Sequence, residues 1–268
     1  MKRRLVVVGG AGKMGKRIIA LGAADGRFEI VGAVERQGHP DIGKDAGTAA
    51  GVGALEVAIS SDFPASADVV VDFSLPEAAE ATIDYCSKNR IALVMGTTAL
   101  SAGQRERIKT ASRKIALIYA TNMSAGMNVL FCVVGKVAAM LGADYDIEII
   151  EQHHRFKKDA PSGSALTLAE KICQATGRDM DRCISLGRHG KEAVRQEGEI
   201  GIHAVRAGDI TGVHSVVLST MGETLTLNHA AHSRDGFAGG ALRAAAWLAE
   251  KGPGQYSMAD VLGIPNAG

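Results

Sequence analysis

Leu5-Val6-Val7-Val8-Gly9-Gly10-Ala11-Gly12-Lys13-Met14-Gly15 runs four consecutive apolar residues into a glycine-rich turn and on into a helical pattern. The glycines match G-x-G-x-x-G at Gly10, Gly12 and Gly15, and Glu35 stands twenty positions after Gly15 at the end of the next β-branched run. In that context the glycines let a helix N-terminus approach a pyrophosphate while the acid binds ribose hydroxyls. Gly9, Gly10, Ala11, Gly12, Lys13, Met14 and Glu35 are therefore candidate dinucleotide contacts. Arg36 adds a second signal. A carboxylate favours the 2′-hydroxyl of NAD, whereas an arginine can pair with the 2′-phosphate of NADP. Having both residues points to use of NADH and NADPH; a plain surface charge at Arg36 is an equal alternative.

Working outward, strand-like runs at residues 5–8, 30–34, 69–73, 92–95 and 115–119 are interleaved with helical windows at 14–24, 76–88 and 101–113. Continuous apolar strands separated by helices predict a Rossmann-type, doubly wound parallel α/β sheet covered on both faces. After Asn122 the pattern changes: a helix over 126–141, a strand over 145–152, a helix over 161–176 closed by Gly177, then strands near 200–206, 214–219 and 224–229. Consecutive strands with short links predict a second, α+β domain with a mostly antiparallel or mixed sheet. The expected division is residues 1–122 for the dinucleotide and 123–238 for substrate and oligomerisation, with a C-terminal helix at about 239–268 returning to the first domain. Ligands of such folds bind outside the carboxyl ends of the strands. That singles out Gly96-Thr97-Thr98 and Ala120-Thr121-Asn122-Met123 as further cofactor contacts, beside Val71-Asp72-Phe73-Ser74.

The formal net charge of +1 and 4% aromatic content speak against nucleic acid as partner. No stretch approaches the roughly 18 apolar residues of a membrane span. The four cysteines form no C-x-x-C pair, and Cys86, Cys132 and Cys173 sit in apolar helix-like stretches, which fits a reducing cytoplasm.

Glu151-Gln152-His153-His154-Arg155-Phe156-Lys157-Lys158-Asp159-Ala160-Pro161-Ser162-Gly163-Ser164 is poor core material, because ionisable groups are seldom buried unless paired. Pro161 is expected to open a helix capped by Asp159 or Ser162. Backbone N–H groups at Ser162, Gly163 and Ser164, with the helix dipole, would then receive a carboxylate, and Lys157 and a histidine would add charge. An imidazole transfers protons near neutral pH. A solvated Lys157-Lys158 turn and an ordinary helix start are the bland alternatives. The His-His pair lacks the spacing of a metal site, so no metal is expected. Arg206 in the turn Arg206-Ala207-Gly208-Asp209 is open between a substrate or subunit contact and a plain surface turn.

These segments together resemble the 4-hydroxy-tetrahydrodipicolinate reductase (dihydrodipicolinate reductase) family. The resemblance rests on residues 9–15, Glu35-Arg36, Gly96-Thr97-Thr98, Glu151-Gln152-His153-His154-Arg155 with Lys157, residues 159–164 and Val205-Arg206-Ala207-Gly208-Asp209. It implies an NAD(P)H-dependent reduction of a cyclic dicarboxylate to tetrahydrodipicolinate with loss of water, in lysine and diaminopimelate biosynthesis. It further implies that His153 is the general acid/base and Lys157 a proton donor. His154, Gly163 and Ser164 would bind substrate carboxylate, and the protein would be a homotetramer joined through its second domain. The chain departs from the family pattern at Ala99, Met123 and Phe156. Two other readings are a different two-domain dehydrogenase of amino-acid metabolism and a redox-sensing nucleotide-binding regulator. The first, if it oxidised an aldehyde, would need an activated cysteine, which the apolar cysteine settings do not suggest. The second leaves the segment 153–164 unused.

Overall fold

The computed structural model describes residues 1–265, and the chain divides into two compact units: Met1–Ala125 with the segment from Arg234 onward, and Gly126–Ser233. The first unit alternates β1 (Arg3–Val8), α1 (Lys13–Ala24), β2 (Phe28–Val34), α2 (Ala46–Ala50), β3 (Ile59–Ser60), β4 (Val69–Asp72), α3 (Ala79–Asn89), β5 (Ala92–Met95), α4 (Ala102–Ser112) and β6 (Ala116–Tyr119). The second holds α5 (Ala125–Leu141), β7 (Asp146–His153), α6 (Gly163–Thr176), α7 (Met180–Cys183), β8 (Ile184–Leu186), β9 (Ile200–Arg206), β10 (Gly212–Ser219) and β11 (Thr224–Ala231). The chain then returns to the first unit with α8 (Asp235–Leu248), β12 (Gly254–Tyr256) and α9 (Met258–Leu262).

In the first unit seven strands run in the order β12-β6-β5-β4-β1-β2-β3, every pairing parallel. Alternation along β1 divides the core. Leu5 and Val7 pack with Ile18 and Ile19 of α1 and with Leu242 and Ala245 of α8. Val6 and Val8 pack with Ile83 of α3 and Ile108 of α4. Both faces are thus covered, which is why the strands read as unbroken apolar runs. The strand order reverses between β1 and β4, and the ends of these two strands open the crevice where such folds take ligands.

In the second unit five strands run β11-β10-β7-β9-β8. The β11/β10 and β10/β7 pairings are antiparallel and the β7/β9 and β9/β8 pairings parallel, so the sheet is mixed. Ile147, Ile149, Ile200, Ile202, Val216 and Leu218 face Leu130, Phe131 and Val134 of α5 and Leu168 and Ile172 of α6.

Three boundaries differ from the sequence expectation. Pro76 opens a single 3-10 turn over Pro76–Ala78 before α3 begins. Ser162 caps α6, its hydroxyl accepting the Ala165 N–H, so Pro161 stands outside the helix. The expected C-terminal helix is instead α8, which begins at Asp235 and ends at Leu248, followed by β12 and α9; Gly240 inside α8 marks a close approach, where a Cβ would lie 1.8 Å from the Met123 carbonyl oxygen. Among the described residues no helix is long and apolar enough to cross a membrane. The expected C-terminal stretch ends in residues 266–268, outside the described residues.

Candidate active site

The turn after β1 is shaped by contacts that only glycine allows. Gly9 has φ +76°, and a Cβ on it would lie 2.7 Å from the Phe73 carbonyl oxygen. A Cβ on Gly15 would lie 2.1 Å from the Gly9 carbonyl oxygen, so α1 starts hard against the turn. Gly12 is the N-cap of α1 and brings no side chain to cap it. That leaves a helix N-terminus whose orphan donors suit a phosphate. Glu35, just past β2, accepts the Ala11 N–H at 3.4 Å and the Arg36 N–H at 3.0 Å, which fixes its carboxylate beside the glycine turn. Lys13 and Arg36 are exposed.

A cavity of about 320 Å³ is lined by Met14, Gly96, Thr97, Thr98 and residues 120–123, together with Phe73, Ser74 and Phe237. It gathers three expected strand ends into one place. Its floor is organised by Asp72, fully buried at the end of β4. One carboxylate oxygen accepts the Ser74 N–H at 2.8 Å, the Ser74 hydroxyl at 2.6 Å and the Thr97 hydroxyl at 2.8 Å. The other oxygen is buried without a partner. Gly96 is pressed against the Phe73 ring, where a Cβ would lie 2.5 Å away. Ala99, next in the same loop, adopts φ +59°, a left-handed conformation that favours glycine.

In the second unit the inner face of the sheet changes character along its length. Alternate residues of a strand share a face, so Ile147, Ile149, Glu151 and His153 of β7 form one row. Register sets Ile200, Ile202, Ala204 and Arg206 of β9 beside them and His214 of β10 opposite Glu151. The aliphatic end of these rows is core; at the polar end Glu151 is fully buried and His214 only 3% exposed. Small residues at Ala204 and Gly212 leave the long side chains room to meet.

Glu151 is the hub. Its Oε2 lies 2.6 Å from His153 Nδ1. Arg206 donates to both carboxylate oxygens, at 2.8 and 2.7 Å, and the Ser162 N–H donates to Oε1 at 2.9 Å. Burial pushes the Glu151 carboxyl up, but Arg206, His153 and the Ser162 N–H outweigh it and hold the group below its ordinary value. An ionised Glu151 makes His153 Nδ1 the donor, which leaves Nε2 as the acceptor in the neutral ring. For His153, burial lowers the pKa, Glu151 pulls it back up, and Lys157 and Arg206 push it down; the net direction is down. His214 Nε2 lies 3.0 Å from the Ser162 hydroxyl, and burial with the nearby His153 brings its pKa to about 4, so it is neutral.

The loop between β7 and α6 carries the remaining expected residues. Lys157 Nζ lies 2.9 Å from Asp159 Oδ1, and its N–H donates to the His154 carbonyl at 3.1 Å. His154 Nδ1 is shielded from solvent without a hydrogen-bond partner. Phe156 is largely exposed, its ring centroid 6.3 Å from that of His154. Gly163 begins α6, exposed and with open space beside it, and Ser164 follows. Ser162 differs from expectation: its N–H is given to Glu151 and its hydroxyl to the cap and His214, so its polar atoms hold the frame. Glu151, His214 and Gly212 were not given roles by the sequence; Asp72 was expected only as part of a strand-end loop, and Arg206 was left open between a site contact and a plain surface turn. The signal for Glu151 was present in the alternation Ile147, Ile149, Glu151, His153, in which a carboxylate falls on a core position.

Family models match both parts of the chain: residues 3–123 match "Dihydrodipicolinate reductase, N-terminus" and residues 126–262 "Dihydrodipicolinate reductase, C-terminus". The 4-hydroxy-tetrahydrodipicolinate reductase of Syntrophus aciditrophicus (strain SB) is 44% identical over 264 residues, covering 97% of this chain and 98% of that one. The enzyme of the same name from Alkalilimnicola ehrlichii is 44% identical over 268 residues, covering 98% of this chain and 100% of the relative. A dipicolinate-bound dihydrodipicolinate reductase from Paenisporosarcina sp. TG-14 superposes with a TM-score of 0.68 at 22% identity, over 96% of this chain and 98% of that one, a likeness of fold. With the glycine turn, the Glu151–His153 strand end and both matched halves in place, the chain belongs to the dihydrodipicolinate reductase family.

Proposed function

We propose that this chain reduces 4-hydroxy-tetrahydrodipicolinate to tetrahydrodipicolinate with loss of water, using NADH or NADPH. The observation that carries it is the His153 imidazole held by a buried carboxylate beside the first turn of α6: a proton donor and an anion cradle on one rigid frame. The glycine turn fits a dinucleotide, because its close approaches leave no room for side chains at the bare end of α1. Gly9, Gly10, Ala11, Gly12, Lys13 and Met14 would hold the pyrophosphate, Glu35 and Arg36 the adenosine ribose, and Gly96, Thr97, Thr98, Ala120, Thr121, Asn122 and Met123 the nicotinamide end. When bound, the nicotinamide supplies a hydride.

The chain's own residues do the rest. His154, Lys157, Gly163 and Ser164 take the ring carboxylates, through charge and through N–H groups directed out of the helix end. Departure of the 4-hydroxyl with a neighbouring ring proton, as water, conjugates the ring; reduction at the carbon that bore the hydroxyl then leaves an enamine-like neighbour that must take a proton. His153 Nε2 and Lys157 Nζ are the donors on this part of the fold, and a positioned acid of this kind contributes about 10²–10⁴-fold. The ionised Glu151 stabilises His153 in its protonated form and returns it to that form between turnovers. We assign the reaction to the cytoplasm and the assembly to a homotetramer. The tetramer would form through the outer face of the second sheet, where Ile150, Val213 and Val217 are partly accessible and Val205 is exposed.

Titration with pyridine-2,6-dicarboxylate, a planar mimic of the ring, tests the reading. Binding that strengthens when NADH is present is the expected result. A wild-type chain that binds NADH but ignores the dicarboxylate would sink it. Light scattering of the purified chain checks the tetramer.

A further inference from the structure

Two side chains of one sheet face and a backbone N–H from the cap of α6 meet at a single carboxylate. Arg206 grips Glu151 through two nitrogens, His153 Nδ1 meets the same group at 2.6 Å, and the Ser162 N–H meets it at 2.9 Å. We propose that Glu151 and Arg206 are an opposed pair of positioning residues that set the charge state of His153 and lock it to the first turn of α6.

The geometry makes the pairing specific. Glu151 and His153 are two residues apart on β7, so they share a face, and Arg206 lies beside His153 in the β7/β9 register. Arg206 must reach back along the strand direction to both Glu151 oxygens, and it also donates to the Asp159 carbonyl at 2.6 Å, which ties down the loop carrying Lys157. One carboxylate therefore joins the imidazole, the Ser162 cap of α6 and the Lys157 loop. A buried ion pair contributes little to stability over an apolar filling of the same volume. Its presence at the polar end of an otherwise aliphatic row points to a task in the chemistry.

The task follows from sign. The groups facing His153 are Glu151 on its own strand, Arg206 on β9, His214 on β10 and Lys157 on the loop; α6 presents uncharged Ser162. Burial disfavours the imidazolium most, Glu151 favours it, and Lys157 and Arg206 add to the opposition. His214 is neutral across the working range. Without the arginine the carboxylate would meet less opposition and the protonated share would rise; without the carboxylate, burial and the two cations would act unopposed and that share would fall. The two together poise it.

The kinetic consequence rests on the reductase reading, but the charge state does not. The midpoint of the His153 imidazole is read by NMR in the full chain and in Glu151→Gln and Arg206→Gln. Glu151→Gln is expected to move the midpoint to lower pH by about one unit, and Arg206→Gln to higher pH by about half a unit or more. The alkaline limb of kcat, where the protonated donor is lost, should move in the same two directions. Midpoints that stay put, or move together, would overturn the proposal, since a purely structural pair would cost stability without opposite shifts. If either single variant fails to fold, the double Glu151→Gln/Arg206→Gln variant carries neutral amides at both places. Its midpoint should lie below the wild type's, and an unchanged midpoint counts against the pair. Opposite shifts in a chain that does not reduce 4-hydroxy-tetrahydrodipicolinate would defeat the reductase reading and leave the pair standing; turnover of that substrate with unmoved midpoints would do the reverse.

Discussion

A Cβ on Gly212 would stand 3.2 Å from Nε2 of His153, the nitrogen left free by the bond between Nδ1 and Glu151. Gly212 has no unusual backbone angle, so its lack of a side chain serves the neighbour and not the turn. The strand that flanks β7 is bare beside the nitrogen that the proposed chemistry uses.

Gly212→Val should therefore hurt turnover more than stability. A displacement of about 1 Å at a reacting group costs on the order of 10²-fold. Steady-state kinetics should show kcat reduced by about that amount while NADH binding, followed by fluorescence, is unchanged.

His153→Ala and Lys157→Ala each remove a proton donor without touching the glycine turn. Both should lose about 10²–10⁴-fold in kcat and retain NADH binding. Near wild-type rates in both variants would count against the assigned roles.

His214 makes stability depend on pH. Its folded pKa is depressed to about 4 from 6.5, so between these values the unfolded chain binds a proton that the native chain refuses. Stability contributed by the neutral imidazole is complete above about pH 6.5 and is lost as pH falls toward 4. At about 1.4 kcal/mol per unit the loss is on the order of 3 kcal/mol. Denaturant melts of the wild type and His214→Gln across this window should show a shallower acid-side fall in the variant.

Gly15→Ala would place a methyl group 2.1 Å from the Gly9 carbonyl oxygen, so the turn or the start of α1 must shift. We expect destabilisation of about 1–3 kcal/mol and at least a tenfold weaker NADH affinity, measured by thermal melting and fluorescence titration.

Ala99→Gly should act in the opposite direction. Ala99 sits at φ +59°, and a left-handed alanine costs roughly 1–2 kcal/mol, against about 0.4–1 kcal/mol of extra chain entropy for glycine. A net gain of about 0.5–1 kcal/mol follows, visible as a raised Tm in calorimetry. The strained residue stands directly after Thr97 and Thr98.

Much of the first unit was legible because its strands are buried on both faces. Unbroken runs such as Leu5–Val8 and Ala92–Met95 leave few other readings. The ends of β4, β5 and β6, expected as ligand loops, do line one cavity. What lay hidden was short or non-local. The strands Ile59–Ser60 and Gly254–Tyr256 are too brief to show a period, and their pairing partners are distant in sequence. The polar segment 151–164 stands out in the sequence as a candidate site, but the group that organises it does not. Glu151 reads as one more charge in a polar stretch until the register brings Arg206, 55 residues away, onto it. His214 likewise falls in an alternating strand where histidine passes for an ordinary inward residue. Ser162 was read as a carboxylate contact because a free N–H is the default at a helix start; a buried acid from the neighbouring strand had already taken it.

The inner face of the second sheet passes from isoleucine to glutamate to histidine without leaving β7. The imidazole is thus the last link of a ladder whose earlier rungs are the hydrophobic layer under α5 and α6. Heating should reveal this as a single event: the rate should rise with temperature until that layer melts, then vanish with it, leaving no interval in which a folded second unit has already lost its proton donor.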